Sequence, residues 1–259
     1  MSKEIIIVTI SLGNDGAERI LTELARQWYH DGHKITVIQT SPNRNGTEYT
    51  LPEGIEQIQI HTTSSNKILR FLQEIKALIG ILKQRPNATC LSFLSASSFI
   101  LAISSWFVKN RMVFSERNNP RKVPVGKHQQ MLRDFAFRFA DAIVFQTEDA
   151  KSYFSKSIQS RGHIIPNPIN GNLPEPYEGE RQKIIVTACR LHPQKNLSMM
   201  INAFSMLANE FKEYKLVIYG QGVLENELRQ HIASLGLTDR ILLPGFASNI
   251  LEKEWPCAM

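Results

Sequence analysis

The residues with the clearest capacity for chemistry are two cations and two glycines in the last third of the chain. Arg190 and Lys195 stand five residues apart, after a β-rich run and before a helical pattern. Gly220 and Gly222 form a Gly-x-Gly turn after the next β-rich run. The N-terminus of a helix offers free N–H groups and a positive dipole, and cations beside it add formal charge. This spacing predicts a site that clamps a polyphosphate.

A second polar cluster follows a β-rich run in the middle of the chain. Glu116, Arg117 and Asn118 supply a carboxylate, a guanidinium and an amide within three residues. Sugar hydroxyls need both donors and acceptors, and an arginine can hold a phosphate through two parallel hydrogen bonds. The cluster predicts a loop that binds a sugar or a phosphate. An exposed polar loop without a ligand is the alternative.

The first loop of the chain is a weaker candidate. The segment from Ser11 to Arg19 follows the first β-rich run, and Gly16 opens the first helical pattern. A glycine there lets the backbone approach a ligand closely, and the helix N-terminus favours an anion. The Gly-x-Gly-x-x-Gly spacing of a dinucleotide fingerprint is absent. A tight strand–helix turn without a ligand explains the segment equally well.

The elements that must position these residues alternate between strand and helix. In residues 1–165, β-rich runs are separated by helical patterns such as Gly16–His30 and Asn66–Lys83. This alternation predicts an α/β domain with a doubly wound parallel sheet, which binds ligands beyond the carboxyl ends of its strands. The predicted strands are Glu4–Ile10, Lys34–Gln39, Ile55–Ile60, Thr89–Phe93, Met112–Ser115 and Ala142–Gln146.

A break in composition divides the chain. Four prolines, three asparagines and a glycine fall within residues 165–176, and this predicts a linker over 166–182. Strand and helix patterns then resume in residues 183–259. We therefore expect a complete first Rossmann-like domain over 1–165, a hinge, and part of a second. The predicted elements of the second are strands Lys183–Ala188, Lys215–Tyr219 and Ile241–Leu243 and helices Leu197–Phe211 and Leu224–Ser234.

Composition excludes several classes of protein. Hydrophobic residues make up 42% and charged residues 21%, which is typical of a soluble globular chain. The three cysteines and the histidines lack metal-ligand spacing, and no Walker A loop or Gly-x-Ser-x-Gly elbow occurs. The uncharged run from Leu91 to Val108 contains six serines, so a buried strand and helix is favoured over a membrane span.

Positive charge is concentrated in the first domain. The net charge is +6, yet residues 166–259 hold 9 basic and 10 acidic residues, so the excess falls on residues 1–165. Two basic amphipathic stretches lie there, Lys67 to Leu78 and Lys127 to Phe139, the latter with Arg133 and Arg138. Such helices can lie on an anionic membrane surface. Domain helices with a solvated basic face are the alternative.

Taken together, these motifs resemble those of the GT-B-fold, family 4 glycosyltransferases of bacterial surface-polysaccharide and lipid-linked oligosaccharide assembly. The first loop is similar to the family's Gly-Gly-Ala-Glu-Arg signature, with Asp15 in place of the first glycine. The run from Ser115 to Pro120 resembles a segment of the branch that acts on polyprenyl-diphosphate-linked acceptors. The run from Arg190 to Asn196 is the most specific match, and the resemblance extends to about Ile250.

The resemblance implies a retaining, metal-independent hexosyl or N-acetylhexosaminyl transfer from a nucleotide sugar, usually a UDP-sugar. Arg190 and Lys195 would be the catalytic residues, because they would neutralise charge on the departing diphosphate. Gly16, Gly220 and Gly222 would join them in donor binding. The acceptor-binding residues would be Glu116, Arg117 and Asn118. The implied partners are a lipid-linked glycan and an anionic membrane surface, at the cytoplasmic face of a bacterial plasma membrane, without nucleic acid.

The end of the sequence departs from the family pattern. Family members continue with a strand, two glutamates separated by seven residues, and a helix that returns to the first domain. After Ile250 this pattern is absent, so we expect a truncated second domain and weak or no activity from this chain alone. A non-catalytic module that binds a lipid-linked acceptor or a partner protein is the second hypothesis. Nucleotide-sugar epimerisation is a third, and nucleic-acid binding is the least favoured.

Overall fold

The computed structural model describes residues 2–12, 16–41, 50–93, 95–168 and 178–247. Contacts between Cα atoms divide the chain into two compact units. We call Met1–Pro168 unit 1 and Ile169–Met259 unit 2.

In its described residues, unit 1 is built on a seven-stranded parallel sheet with the strand order β3-β2-β1-β4-β5-β6-β7. Its strands are β1 (Glu4–Thr9), β2 (Lys34–Gln39), β3 (Glu56–Gln59), β4 (Thr89–Ser92), β5 (Arg111–Ser115), β6 (Ala142–Phe145) and β7 (Gly162–Ile164). Its helices are α1 (Gly16–His30), α2 (Lys67–Lys83), α3 (Ser95–Ser104), α4 (Lys127–Phe137), α5 (Glu148–Ser152) and α6 (Lys156–Gln159).

The central strands are apolar on both faces because helices cover both faces of this sheet. Along β1, Ile6 and Val8 join the core formed with α2, α3 and α4, whereas Ile7 joins the core formed with α1. Alternate side chains of a strand point to opposite faces, so one short apolar run serves both cores. This explains why β1 has no polar–apolar alternation.

The strand order places the candidate residues of unit 1 at one edge. The chain runs outward from β1 through β2 to β3, and then crosses to β4 on the other side of β1. This reversal is the switch point at which doubly wound sheets bind ligands, outside the carboxyl ends of the strands. The loops after β1, β4 and β5 all leave the sheet at this edge, which we call the ligand edge.

Unit 2 has a smaller parallel sheet, with the order β10-β9-β8 in the described residues 178–247. Its elements are β8 (Ile184–Ala188), a 3₁₀ turn (Pro193–Lys195), α7 (Leu197–Leu207), β9 (Lys215–Tyr219), α8 (Glu225–Ser234) and β10 (Ile241–Gly245). Buried residues of α7 and α8 pack on this sheet and form a separate core.

The predicted α/β class with parallel sheets is confirmed in both units. The run from Leu91 to Val108 contains the end of β4 and the largely buried α3, so the strand–helix interpretation is confirmed as well. Among the residues described, no helix combines the length and apolar content needed to cross a bilayer.

The predicted domain limits of 1–165, 166–182 and 183–259 stay predictions. Residues 169–177 of the predicted linker lie outside the described residues. Unit 1 extends to Pro168. The sequence interpretation also omitted β7, a strand of three residues at the edge of the sheet.

Candidate functional site

The loop after β5 brings the three predicted acceptor-side residues to the ligand edge. The β5–β6 pairing continues past the end of β5, because the Glu116 N–H donates to the Val144 carbonyl at 2.9 Å. The sheet therefore holds the backbone of Glu116, and Arg117 and Asn118 follow it in the loop. The Asn118 N–H turns back and donates to Glu116 Oε1 at 3.1 Å.

The Glu116 carboxyl is buried and only partly paired. The residue is 3% exposed, and its Oε2 accepts no hydrogen bond in the structure. Burial raises the pKa of Glu116 to about 7, and the Asn118 N–H and the Arg133 charge oppose that rise. A carboxyl with this pKa exchanges its proton close to neutral pH, which is a property of groups that take part in acid–base chemistry.

Arg117 lies beside Glu116 with its guanidinium over an aromatic ring. Its Cζ is 5.1 Å from the centroid of the Phe93 ring, and Nη2 donates to the Asn167 side chain. Its Nε is buried without a hydrogen-bond partner, and burial lowers the pKa of this guanidinium. The arginine thus retains an unused donor at the ligand edge.

A cavity of about 430 Å³ opens beside Arg117. Ser115 and Arg117 supply part of its polar lining, and Ser115 Oγ is buried without a hydrogen-bond partner. Most of the remaining lining is apolar and includes Ile20, Leu24, Leu91, Phe93 and Val113. The cavity lies wholly within unit 1.

Two buried serines were missed by the sequence interpretation. Ser92 ends β4, and its Oγ lies 2.6 Å from the Oγ of Ser98 on α3. Both residues are fully buried. The signal for them in the sequence is the set of six serines in the uncharged run from Leu91 to Val108.

Gly16 is the first residue of α1 and is exposed. A Cβ built at this position would meet nothing within 4 Å, so packing inside unit 1 does not require glycine. Glu18, two residues on, is 7% exposed and accepts a 3.3 Å hydrogen bond from Ser11 Oγ. Its carboxylate lies in the first turn, where it interacts favourably with the helix dipole. Residues 13–15 of the predicted loop lie outside the described residues.

In unit 2, the loop after β8 holds Arg190 and Lys195 on either side of a buried anchor. Leu191 is 0% exposed, and its N–H donates to the Gln221 carbonyl at 2.9 Å. The two cations are exposed. Lys195 ends the 3₁₀ turn, and Asn196 then adopts a left-handed conformation with φ 50° before α7 begins. The sequence predicts that Lys195 opens a helix. In the structure Lys195 ends a 3₁₀ turn instead, and α7 begins after it as a separate helix.

Gly220 and Gly222 lie against this same loop. A Cβ on Gly220 would fall 1.9 Å from the Cys189 carbonyl oxygen, and one on Gly222 would fall 2.3 Å from that of Leu191. Gly220 also has φ 141°, a conformation that disfavours other residues. The backbone at Gly220 and Gly222 therefore crosses that of residues 189–191 too closely for a side chain, so both positions require glycine. The expectation that these glycines also make room beside a nucleotide stays a prediction.

The structure corrects the interpretation of Arg133 as part of an amphipathic basic stretch. Its side chain is 1% exposed, and it is the largest fully buried side chain in the described residues. Elsewhere in the parts of the chain that are described, no three His, Cys, Asp or Glu side chains group as metal ligands would.

Family models match nearly the whole chain. Residues 14–173 match the model described as Glycosyltransferase Family 4, and residues 173–252 match Glycosyl transferases group 1. The first of these covers more than half of the 259 residues.

Two curated relatives come from Campylobacter jejuni subsp. jejuni serotype O:2. One is an alpha-1,4-N-acetyl-D-galactosaminyltransferase for a GalNAc- and diNAcBac-containing glycan on PP-undecaprenol; it is 26% identical over 92% of this chain and 66% of its own length. The other is a 4-alpha-N-acetylgalactosaminyltransferase for a diphospho-undecaprenol-linked glycan; it is 28% identical over 94% of this chain and 69% of its own. The chain thus spans about two thirds of the length of these relatives.

Solved structures with the same fold include Anabaena HepE in complex with UDP and glucose. The TM-score is 0.74 at 15% identity, over 96% of this chain and 71% of HepE. S. aureus TarM in complex with UDP gives a TM-score of 0.71 at 9% identity, over 95% of this chain and 78% of that one. The chain belongs to glycosyltransferase family 4 and has the GT-B fold.

Proposed function

We propose that this chain transfers a hexose or an N-acetylhexosamine from a UDP-sugar to a lipid-linked or polysaccharide acceptor, with retention and without a metal ion. Support for the acceptor class comes from the two Campylobacter relatives, whose names specify undecaprenyl-linked glycans. Support for the donor comes from HepE and TarM, which were crystallised with UDP. Retention and metal independence rest on the resemblance of the motifs to those of the family.

The observation that carries the proposal is the loop of unit 2 that presents Arg190 and Lys195. A buried leucine and two backbone-packed glycines fix this loop, while the cations stay exposed. As the bond from the sugar to the diphosphate breaks, negative charge grows on the leaving diphosphate. Two cations held in place before the reaction stabilise that charge without reorganisation. In this proposal Arg190 and Lys195 are the catalytic residues. They bind the donor together with Gly16, Gly220 and Gly222.

Unit 1 supplies the acceptor side in this proposal. Arg117 keeps an unpartnered Nε–H that suits an acceptor phosphate, and Asn118 adds an amide for sugar hydroxyls. Glu116 has a pKa close to neutrality, so it can accept a hydrogen bond as a carboxylate or donate one as an acid. Recognition of a sugar diphosphate needs this mixture of groups.

The membrane surface is the remaining partner in the proposal. The exposed side of α2 carries Ile68, Leu69 and Leu72, and the exposed side of α4 carries Met131 and Leu132. Both helices pack against α3. Exposed apolar residues interleaved with lysines favour binding at an anionic bilayer. A lipid-linked acceptor would then be reached from the cytoplasmic face of the membrane.

The donor test measures UDP binding by titration calorimetry and sugar transfer to an undecaprenyl-diphosphate-linked acceptor. Lys195→Ala and Arg190→Ala should each weaken UDP binding about tenfold or more, since each removes a charge-assisted contact. Lys212→Ala, which removes an exposed cation from the same unit, is the matched control. Unchanged UDP affinity in both site variants would refute the donor assignment. Vesicle binding without UDP binding would favour the non-catalytic module.

The membrane test measures co-sedimentation with phosphatidylglycerol vesicles against phosphatidylcholine vesicles. The double variant Leu72→Gln, Met131→Gln should lose about tenfold in affinity for the anionic vesicles. Met206→Gln removes an apolar side chain from unit 2 that is more exposed than either of these and should have no effect. Equal losses from the two proteins would contradict a membrane surface on α2 and α4.

A further inference from the structure

Arg133 is a buried arginine in a helix that the sequence presents as basic and amphipathic. Its side chain is 1% exposed on α4. A buried cation costs several kcal/mol unless it is paired and its donors are used. Asp134 accepts from both Nε and Nη2, at 2.9 and 2.8 Å. The guanidinium also lies over two rings, 5.0 Å from the centroid of Tyr153 and 4.9 Å from that of Phe154.

The remaining guanidinium nitrogen holds the far end of the loop that follows β5. Nη1 donates to the Pro120 carbonyl at 3.0 Å and to the Val123 carbonyl at 2.7 Å. Both carbonyls belong to residues 116–124, which we call the acceptor loop. A planar fork can make these bonds and the Asp134 pair at the same time, whereas a lysine offers a single point of charge.

The same nitrogen also faces the near end of the acceptor loop. Arg133 Nη1 lies 3.6 Å from Glu116 Oε2, and both side chains are almost completely buried. One guanidinium therefore reaches the first residue of the loop and two carbonyls near its end. The segment between these points, which includes Arg117 and Asn118, is therefore fixed at both of its ends.

We propose that Arg133 is a positioning residue, whose guanidinium fixes the acceptor loop and so places Glu116 and Arg117 at the ligand edge. The claim that the loop binds an acceptor rests on the proposed function. The claim that Arg133 places Glu116 does not rest on it, and the titration of Glu116 tests that claim separately.

The readout is the titration of the Glu116 carboxyl. The charges that act on it are those of Arg133 and Asp134 from α4; Arg133 favours the carboxylate and Asp134 disfavours it. From its own loop, the backbone N–H groups of Arg117 and Asn118 also favour the carboxylate. Burial raises the pKa of Glu116 to about 7, against the pull of Arg133. Removing the guanidinium must therefore raise this pKa further. A side chain that only filled space would leave it unchanged.

The experiment follows the carboxyl carbons of glutamate-labelled chain by ¹³C NMR across pH, with Glu116→Gln used to assign the signal. Arg133→Met should raise the pKa of Glu116 by about one unit or more, and Arg133→Lys should raise it by less. Arg240→Met is the matched control. It also removes an arginine that donates to several backbone carbonyls, those of Ala208, Phe211 and Tyr214, but in unit 2.

The control should lower the melting temperature and leave the Glu116 titration within about 0.2 units of wild type. Where Arg133→Met does not fold, Arg133→Lys decides. A Glu116 pKa that is the same in wild type and in the Arg133 variants would overturn the inference. In transfer assays, Arg133→Lys should raise the acceptor KM about tenfold with little change in the UDP-sugar KM. If wild type transfers no sugar, the proposed function fails, and the titration still decides the role of Arg133.

Discussion

The two candidate regions hold their charged groups in opposite ways. In unit 1 the buried Arg133 holds the acceptor loop, and Glu116 itself is buried. In unit 2 Arg190 and Lys195 are exposed on a loop that is fixed by its backbone and by Leu191. Charges in the first region interact strongly with each other, whereas those in the second face solvent. The difference separates buried charges, which set the conformation of their own loop, from exposed charges on a loop that other residues fix, and each prediction below tests that separation.

The largest expected effect is the destabilisation of unit 2 when one methyl group is added at Gly220. Gly220→Ala places a Cβ 1.9 Å from a backbone oxygen at φ 141°, so we expect a loss of at least about 3 kcal/mol in unfolding free energy. Gly236→Ala also needs a positive φ, 67°, but meets no neighbour within 4 Å. It should cost only about 1 kcal/mol. Denaturant unfolding measures both, and equal costs would show that the crossing does not constrain Gly220.

The next effect is a pH dependence that should disappear in Glu116→Gln. The folded-state pKa of Glu116, about 7, lies above the usual glutamate value of 4.5, so the folded chain holds this proton more tightly. Stability from this group is present below the unfolded pKa and is lost as pH rises through about 7. The loss amounts to about 3 kcal/mol between pH 4 and pH 8.

Unfolding free energies of wild type and Glu116→Gln across that range would measure this loss. Glu227→Gln, which alters an exposed carboxylate on α8, serves as the control. A variant whose pH profile runs parallel to that of wild type would contradict the assignment of the buried proton to Glu116.

The smallest effect is expected at Lys195. Lys195→Ala removes an exposed side chain, so the unfolding free energy should change by no more than about 0.5 kcal/mol. Arg133→Met should instead cost about 3 kcal/mol or more, because it leaves the carbonyls of Pro120 and Val123 without their donor. Thermal unfolding of the two variants side by side tests this contrast directly. A large loss at Lys195 would mean that the two regions do not differ as described.

Regular elements with clear boundaries were predictable from the sequence. The observed limits of α1, β2 and β9 coincide with the predicted ones. Each is a strongly periodic or β-branched segment bounded by glycine, charge or a turn. The strand β7 was missed because three residues, two of them glycine and histidine, carry no pattern.

The candidate site was only partly predictable. The loops that carry Glu116 and Arg190 follow strands, as expected, and their roles with ligands stay predictions. The burial of Arg133 could not be inferred, because its partners Pro120 and Val123 lie 13 and 10 residues away and accept through backbone carbonyls. Backbone acceptors leave no trace in side-chain identity. A cation that lies among apolar residues in a helical pattern can thus occupy either the buried or the exposed face of the helix.

The crossing of backbones at Gly220 and Gly222 has a consequence for mutational scanning. In a library of single substitutions selected only for soluble expression, both positions should score as intolerant in the absence of any nucleotide. Intolerance at Arg190 and Lys195 should appear only when selection is for sugar transfer. Selection for sugar transfer alone would find all four positions intolerant and could not tell them apart. Both selections together would distinguish the two glycines, which the fold requires, from the two cations, which only the reaction requires.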